Sequence, residues 1–154
     1  MGEIQFISEH NKYTIGELIK IWESSVRNTH KFLSEGDIKN IKEDVKQYLS
    51  DIEYLYGFYD DNNKTQAFIG VQDQKIEMLF VKANSKGKGI GKSLLTHVVN
   101  SLEVKYVDVN EQNEQAIGFY KHFGFQIKDK SEFDNEGRPF PSLHLSNDNF
   151  LSSV

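Results

Sequence analysis

Between Ser85 and Ser93 the chain reads Ser-Lys-Gly-Lys-Gly-Ile-Gly-Lys-Ser, three glycines interleaved with lysines. An apolar stretch, Ile76 to Val81, precedes this run. A helical pattern of Ile90, Leu94, Leu95, Val98, Val99 and Leu102 follows it. Glycine lets a backbone approach a ligand closely, and a helix start offers unpaired N–H groups. Strand, glycine loop and helix together make the layout of a phosphate cradle. Lysine at a helix start opposes the helix dipole, so the placement of Lys86, Lys88 and Lys92 favours a bound anion. Spacing separates the possible cradles. A nucleoside-triphosphate loop needs Gly, four residues, then Gly-Lys-Ser/Thr. Gly91-Lys92-Ser93 supplies the second half, but position 86 is Lys. The dinucleotide pattern Gly-x-Gly-x-x-Gly also fails by one residue, because Gly91 comes one position early after Gly87 and Gly89. The plain alternative is a glycine-rich turn that merely enters a helix.

Other groups could do acid–base chemistry. Tyr120 sits on an apolar helical face with Ala116, Phe119 and Phe123, a pattern that by itself reads as core. Glu77 falls on the strand before the glycine loop, on the same face as Lys75 and Leu79 by period 2. His30 lies on an irregular link, and Ser142 and His144 alternate with Leu143 and Leu145. No His/Asp/Glu cluster has metal-ligand spacing, so no metal is expected. There is no cysteine, which excludes disulfides, thiolate metal sites and a thiol-linked acyl-enzyme. A net charge of −5 gives no general attraction to nucleic acid. No apolar run approaches the roughly 20 residues of a membrane span, and the N-terminal residues lack a signal-peptide pattern. A cytoplasmic protein is the expectation.

The elements that must position these groups follow from periodicity. The 154 residues suit one domain, 1–154, without an internal repeat or a linker. Ile4 to Ile7 reads as a strand. Thr14 and Glu17 form a capping box, with a helix running to about Arg27. Ser34 or Asp37 caps a second helix. Tyr54–Tyr59, Gln66–Gln72 and Lys75–Val81 read as an antiparallel meander. After the glycine loop and third helix come a strand at Val104–Val109, a helix at Asn113–Phe123, and a closing hairpin of Gln126–Phe133 with Pro141–Leu145. The order is β-α-α-β-β-β-α-β-α-β-β, a mixed α/β layer fold.

Lys86-Gly87-Lys88-Gly89-Ile90-Gly91 resembles the Arg/Gln-x-x-Gly-x-Gly/Ala loop of the GCN5-related N-acetyltransferase (GNAT) superfamily, with Lys where the family prefers Arg or Gln. Asn113-Glu114-Gln115-Ala116-Ile117-Gly118-Phe119-Tyr120-Lys121-His122-Phe123-Gly124-Phe125 resembles a second family segment, Asn-x-x-Ala-x-x-Phe-Tyr-x-x-x-Gly-Phe. Val109 to Ala116, with Trp22 and Thr29-His30, looks closest to the bacterial YjaB-like branch. The resemblance implies a GNAT acyl-CoA N-acyltransferase fold, a mostly antiparallel mixed sheet flanked by about four helices. It implies transfer of the acetyl group of acetyl-CoA directly to a primary amine within a ternary complex; a non-catalytic acyl-CoA-binding module is the alternative. Gly87, Lys88, Gly89, Ile90, Gly91 and Lys92 would hold the pyrophosphate, with Lys86 beside them. Leu79, Phe80 and Val81 would pair with the pantetheine arm across a splay between the fourth and fifth strands. Asn113 would contact the coenzyme, Tyr120 would be the general acid and Glu77 the base. Trp22, His30, Ser142 and His144 are the candidates for the acceptor side. The resemblance leaves the amine open and allows a homodimer.

Overall fold

The computed structural model describes residues 2–147; residue 1 and residues 148–154 of the expected domain lie outside the described residues. The elements run β1 (Glu3–Phe6), α1 (Lys12–Thr29), α2 (Glu35–Asp51), β2 (Tyr54–Tyr59), β3 (Thr65–Gln72), β4 (Lys75–Val81), α3 (Ile90–Leu102), β5 (Tyr106–Asn110), α4 (Glu114–His122), β6 (Gln126–Ser131) and β7 (Ser142–Ser146). A short 3-10 turn, Ala83–Ser85, sits between β4 and the glycine loop. The seven strands form one sheet in the order β1-β2-β3-β4-β5-β7-β6. Every pairing among the described residues is antiparallel except β4 with β5.

Helices cover both faces. On β3, Ala67, Ile69 and Val71 face a core completed by Leu94, Leu95 and Val98 of α3 and by Tyr120 of α4. Phe68 points the other way, into a second core with Leu18, Trp22 and Val26 of α1 and Leu49 of α2. This is the period-2 alternation of a strand buried on both sides.

Local chemistry sets the helix ends. The first helix starts earlier than expected: Asn11 Oδ1, not a Thr14–Glu17 box, caps α1 by accepting the Thr14 N–H at 2.9 Å. At α2 the two candidates act together. Ser34 Oγ accepts the Asp37 N–H, and Asp37 Oδ2 accepts the Ser34 N–H, both at 3.0 Å.

Two features of β4 shape the surface beside the glycine loop. Its register with β3 jumps from Met78↔Gly70 to Ile76↔Val71, which leaves Glu77 with no residue opposite it. This bulge breaks the simple alternation. Ile76 joins Leu79 and Val81 in one core, while Met78 and Phe80 join the other. The shared face expected for Lys75, Glu77 and Leu79 is therefore not kept. Secondly, β4 pairs with β5 only at Lys75↔Tyr106 and Ile76↔Val107. Beyond those two pairs the strands part. No described helix is long and apolar enough to cross a membrane.

Candidate active site

The parted strands open into a cleft of about 380 Å³ that reaches the glycine loop. Three elements form its walls: Leu79, Phe80 and Val81 of β4, the turn from Lys86 into α3, and the α4 segment with Asn113, Ala116 and Tyr120. On the far side the gap between the strands is lined by Glu77 and Asp108. His30, Leu79, Phe80, Asn113, Ala116 and Tyr120 border both spaces, so they mark a passage between them.

The glycine loop is held by its backbone conformation rather than by packing. Gly87 and Gly89 have φ of 80° and 78°, a region that side-chain-bearing residues rarely adopt. A Cβ on either would meet nothing within 4 Å, so packing does not demand glycine there. Gly89 is the N-cap of α3 and supplies no side-chain cap. The other three α-helices are capped by Asn11, Ser34 and Asn113. The first turn of α3 also lacks an acidic residue. Its N–H groups thus keep their positive end toward the cleft. Lys86 is half-buried there, and burial lowers its pKa below the ordinary lysine value. Lys92 is exposed at the rim.

Burial tunes the groups at the passage. The Tyr120 ring is 5 % exposed, and its hydroxyl makes no hydrogen bond among the described residues. Burial pushes its pKa up, so the phenol keeps its proton at neutral pH. Glu77 is also raised, chiefly by the protein hemming it in; nearby Lys75 opposes the shift and Asp108 and Asp73 add to it. His30 goes the other way, down to about 4, through burial and the neighbouring Lys86 charge.

His30 has a defined tautomer. Thr29 Oγ1 donates to the Ser25 carbonyl at 2.9 Å, so it accepts from His30 Nδ1–H at 2.7 Å. The bare Nε2 then receives Asn113 Nδ2–H at 3.4 Å. Asn113 Oδ1 meanwhile caps α4 by accepting the Ala116 N–H at 3.2 Å. One residue joins the acceptor-side link to the helix that carries Tyr120.

Most of the residues singled out in the sequence meet here, but four do not. Trp22 is 2 % exposed in the core under α1 and does not reach the cleft. It shares a buried helical face with Leu18 and Val26, so it packs the core. Lys88 turns to a neighbouring groove with Asp60 and Gln66. Ser142 and His144 line neither the cleft nor the strand gap. His144 is engaged instead with Asp108 and Ser131. Sequence reasoning missed Ser25, Ser85 and Gln115 on the cleft wall, and Asp108 at the gap. Asp108 alternates with Val107 and Val109, the one signal that could have found it.

The lowered pKa of His30 makes stability depend on pH. Its folded value, about 4, lies below the ordinary histidine value near 6.5, so the unfolded chain binds more protons between them. Stability is lost as pH falls through that window, by at most about 3 kcal/mol from this residue. The His30→Asn variant should lose less stability than wild type between pH 7 and pH 4.5 in urea unfolding. An unchanged difference would remove His30 as the source.

Comparison with known proteins agrees with this architecture. A family model described as an acetyltransferase (GNAT) domain matches residues 23–145. The peptidyl-lysine N-acetyltransferase YjaB of Salmonella typhimurium is 36% identical over 129 residues, 84% of this chain and 88% of that protein. The solution structure of apo-form YjaB from Escherichia coli superposes with a TM-score of 0.84 at 33% identity, covering 96% of this chain and 97% of the other. PaiA N-acetyltransferase of Thermoplasma acidophilum, solved in complex with coenzyme A, shares the fold at a TM-score of 0.70 and 21% identity, over 94% of this chain and 98% of its own. Glycine loop, parted strands and buried tyrosine occur here in a chain that belongs to the GNAT family of N-acetyltransferases.

Proposed function

We propose that the acetyl group of acetyl-CoA passes directly to a lysine side-chain amine at the junction of the cleft and the strand gap. The observation that carries this reading is Tyr120, whose buried, unpartnered phenol sits where the two spaces meet. The α3 N-terminus and the Gly87–Lys92 loop fit a pyrophosphate, with Lys86 and Lys92 adding charge. The free backbone edge of Leu79, Phe80 and Val81 fits an amide-bearing pantetheine arm, and an N–H near Leu79 or Phe80 suits the oxyanion of the tetrahedral intermediate. Asn113 borders the same arm.

An attacking amine must lose a proton, and the departing thiolate must gain one. Tyr120 keeps its proton at neutral pH and donates it to the thiolate. Glu77, whose raised pKa makes it a better base than an ordinary carboxylate, accepts the proton from the amine. The acidic Glu77 at the gap also attracts a cationic lysine side chain. The name of the Salmonella relative supports a protein lysine as acceptor. With no cysteine in the chain, the acyl group cannot rest on a protein thiol, which supports direct transfer within a ternary complex. A cytoplasmic location suits the donor. His30 is on the acceptor side of this site, as a neutral ring that holds Asn113.

Two variants test the assignment. Tyr120→Phe should lower kcat by about 10²–10⁴-fold at neutral pH with little change in acetyl-CoA affinity. Full activity would take Tyr120 out of the chemistry, and activity absent from wild type itself would favour a binding module. Lys92→Glu places a carboxylate in the first turn of α3. It should leave the melting temperature unchanged or raised, because the dipole favours an anion there. It should also weaken acetyl-CoA binding by roughly tenfold, about 1.4 kcal/mol. Calorimetric titration that finds unaltered affinity would move the pyrophosphate elsewhere.

A further inference from the structure

Acetyl transfer leaves one ordered cluster unused. Asp108, His144 and Ser131 stand on three adjacent strands, β5, β7 and β6. Asp108 and His144 are directly opposite in the β5–β7 register. Each alternates with core residues, Val107 and Val109 on one strand and Leu143 and Leu145 on the other. His144 Nδ1 lies 2.7 Å from Asp108 Oδ1, and Ser131 Oγ lies 2.6 Å from His144 Nε2. Lys75 Nζ holds the second Asp108 oxygen at 2.5 Å, so the carboxylate is fixed from both sides.

The direction of these hydrogen bonds can be assigned. A carboxylate only accepts, so the Nδ1–H of His144 donates to Asp108. In the neutral ring Nε2 is then bare and accepts the Ser131 hydroxyl proton. Protons therefore point from Ser131 toward Asp108. That is the polarity in which a histidine, oriented by an aspartate, withdraws the proton of an attacking serine.

We propose that Ser131 is a nucleophilic serine toward small activated carboxylic esters, with His144 as its base and Asp108 as the orienting carboxylate. Ser131 ends β6, the outermost strand, and is only partly buried. The His144 and Asp108 side chains are 32% and 20% exposed, so the row lies at the surface of the sheet. In the first step Ser131 Oγ bonds to the ester carbonyl carbon as its proton passes to His144 Nε2. The carbon–oxygen bond to the leaving alcohol then breaks, and that oxygen takes the proton, leaving acyl-Ser131. Water attacks the acyl carbon and gives a proton to Nε2; the carboxylic acid departs as Ser131 regains its proton.

The full chain should react with a fluorophosphonate probe, with the adduct found on the Ser131 peptide by mass spectrometry. Ser131→Ala should lose the adduct and at least about tenfold of the p-nitrophenyl acetate hydrolysis rate, while melting as wild type does. No adduct at Ser131, or wild-type hydrolysis by the alanine variant, overturns the proposal. Since the sequence has no cysteine, Ser131→Cys introduces a single thiol. Its alkylation by iodoacetamide should slow about tenfold when His144→Gln is added. Equal alkylation rates would show that His144 does not activate this position.

Discussion

The parting of β4 from β5 is the constraint on which the site depends. These are the one parallel pair among the described strands, and they hold each other through two residue pairs only. A sheet interior normally satisfies its backbone groups by continuing the ladder. Here Met78 to Val81 and Asp108 to Asn110 diverge instead, in the middle of the sheet rather than at its edge. The crossover that joins parallel neighbours is α3, so its N-terminus lands at the mouth of the same opening. An unfilled strand position and an uncapped helix end thus lie side by side. Neither feature would make a site alone. Their adjacency follows from connectivity.

Crowding by protein at that opening shifts four groups, Glu77 among them although its side chain is exposed. Tyr120 and Glu77 are pushed up while Lys86 and His30 are pushed down, and loss of water is the leading cause in all four. Each shift favours the neutral form. The site is therefore poised with a phenol that can give a proton and a carboxyl more basic than usual. Lys86 reinforces the effect on His30, so its charge helps keep the imidazole uncharged. The same desolvation would strengthen any hydrogen bond offered to a developing oxyanion.

Local signals in the sequence carried the fold well. Tyr54–Tyr59 and Lys75–Val81 read off directly, because alternation and the turn residues between them agree. The glycine loop was legible for a similar reason, since its spacing separates one phosphate cradle from another. The illegible features depended on partners distant in the chain. The bulge at Glu77 is a property of the register with Gly70 and Val71, so period 2 misassigned the face. Asn11 caps α1 one turn ahead of the Thr14–Glu17 pattern, and both satisfy the same local rule. Trp22, singled out by the branch resemblance, lies instead on the buried face of α1 with Leu18 and Val26. Asp108 alternates visibly with Val107 and Val109, but its pairing with Lys75 and His144 needed the strand order to be seen.

Asn113 shows how the two halves of the site are held in step. Its carbonyl oxygen caps α4, and that helix fixes where Tyr120 stands. Its amide reaches across to His30, which Thr29 ties to the last turn of α1. The protonation state of His30 decides whether this bridge can exist, because a protonated ring has no lone pair to receive the amide. Burial keeps the ring neutral, and the Asn113 amide in turn leaves Nε2 satisfied rather than stranded in a dry site. The link after α1 and the helix that carries Tyr120 are therefore coupled through one side chain that uses both of its ends. A coenzyme arm lying between β4 and α4 would run beside this bridge, so that the groups on either side of the reacting carbon share a common mount.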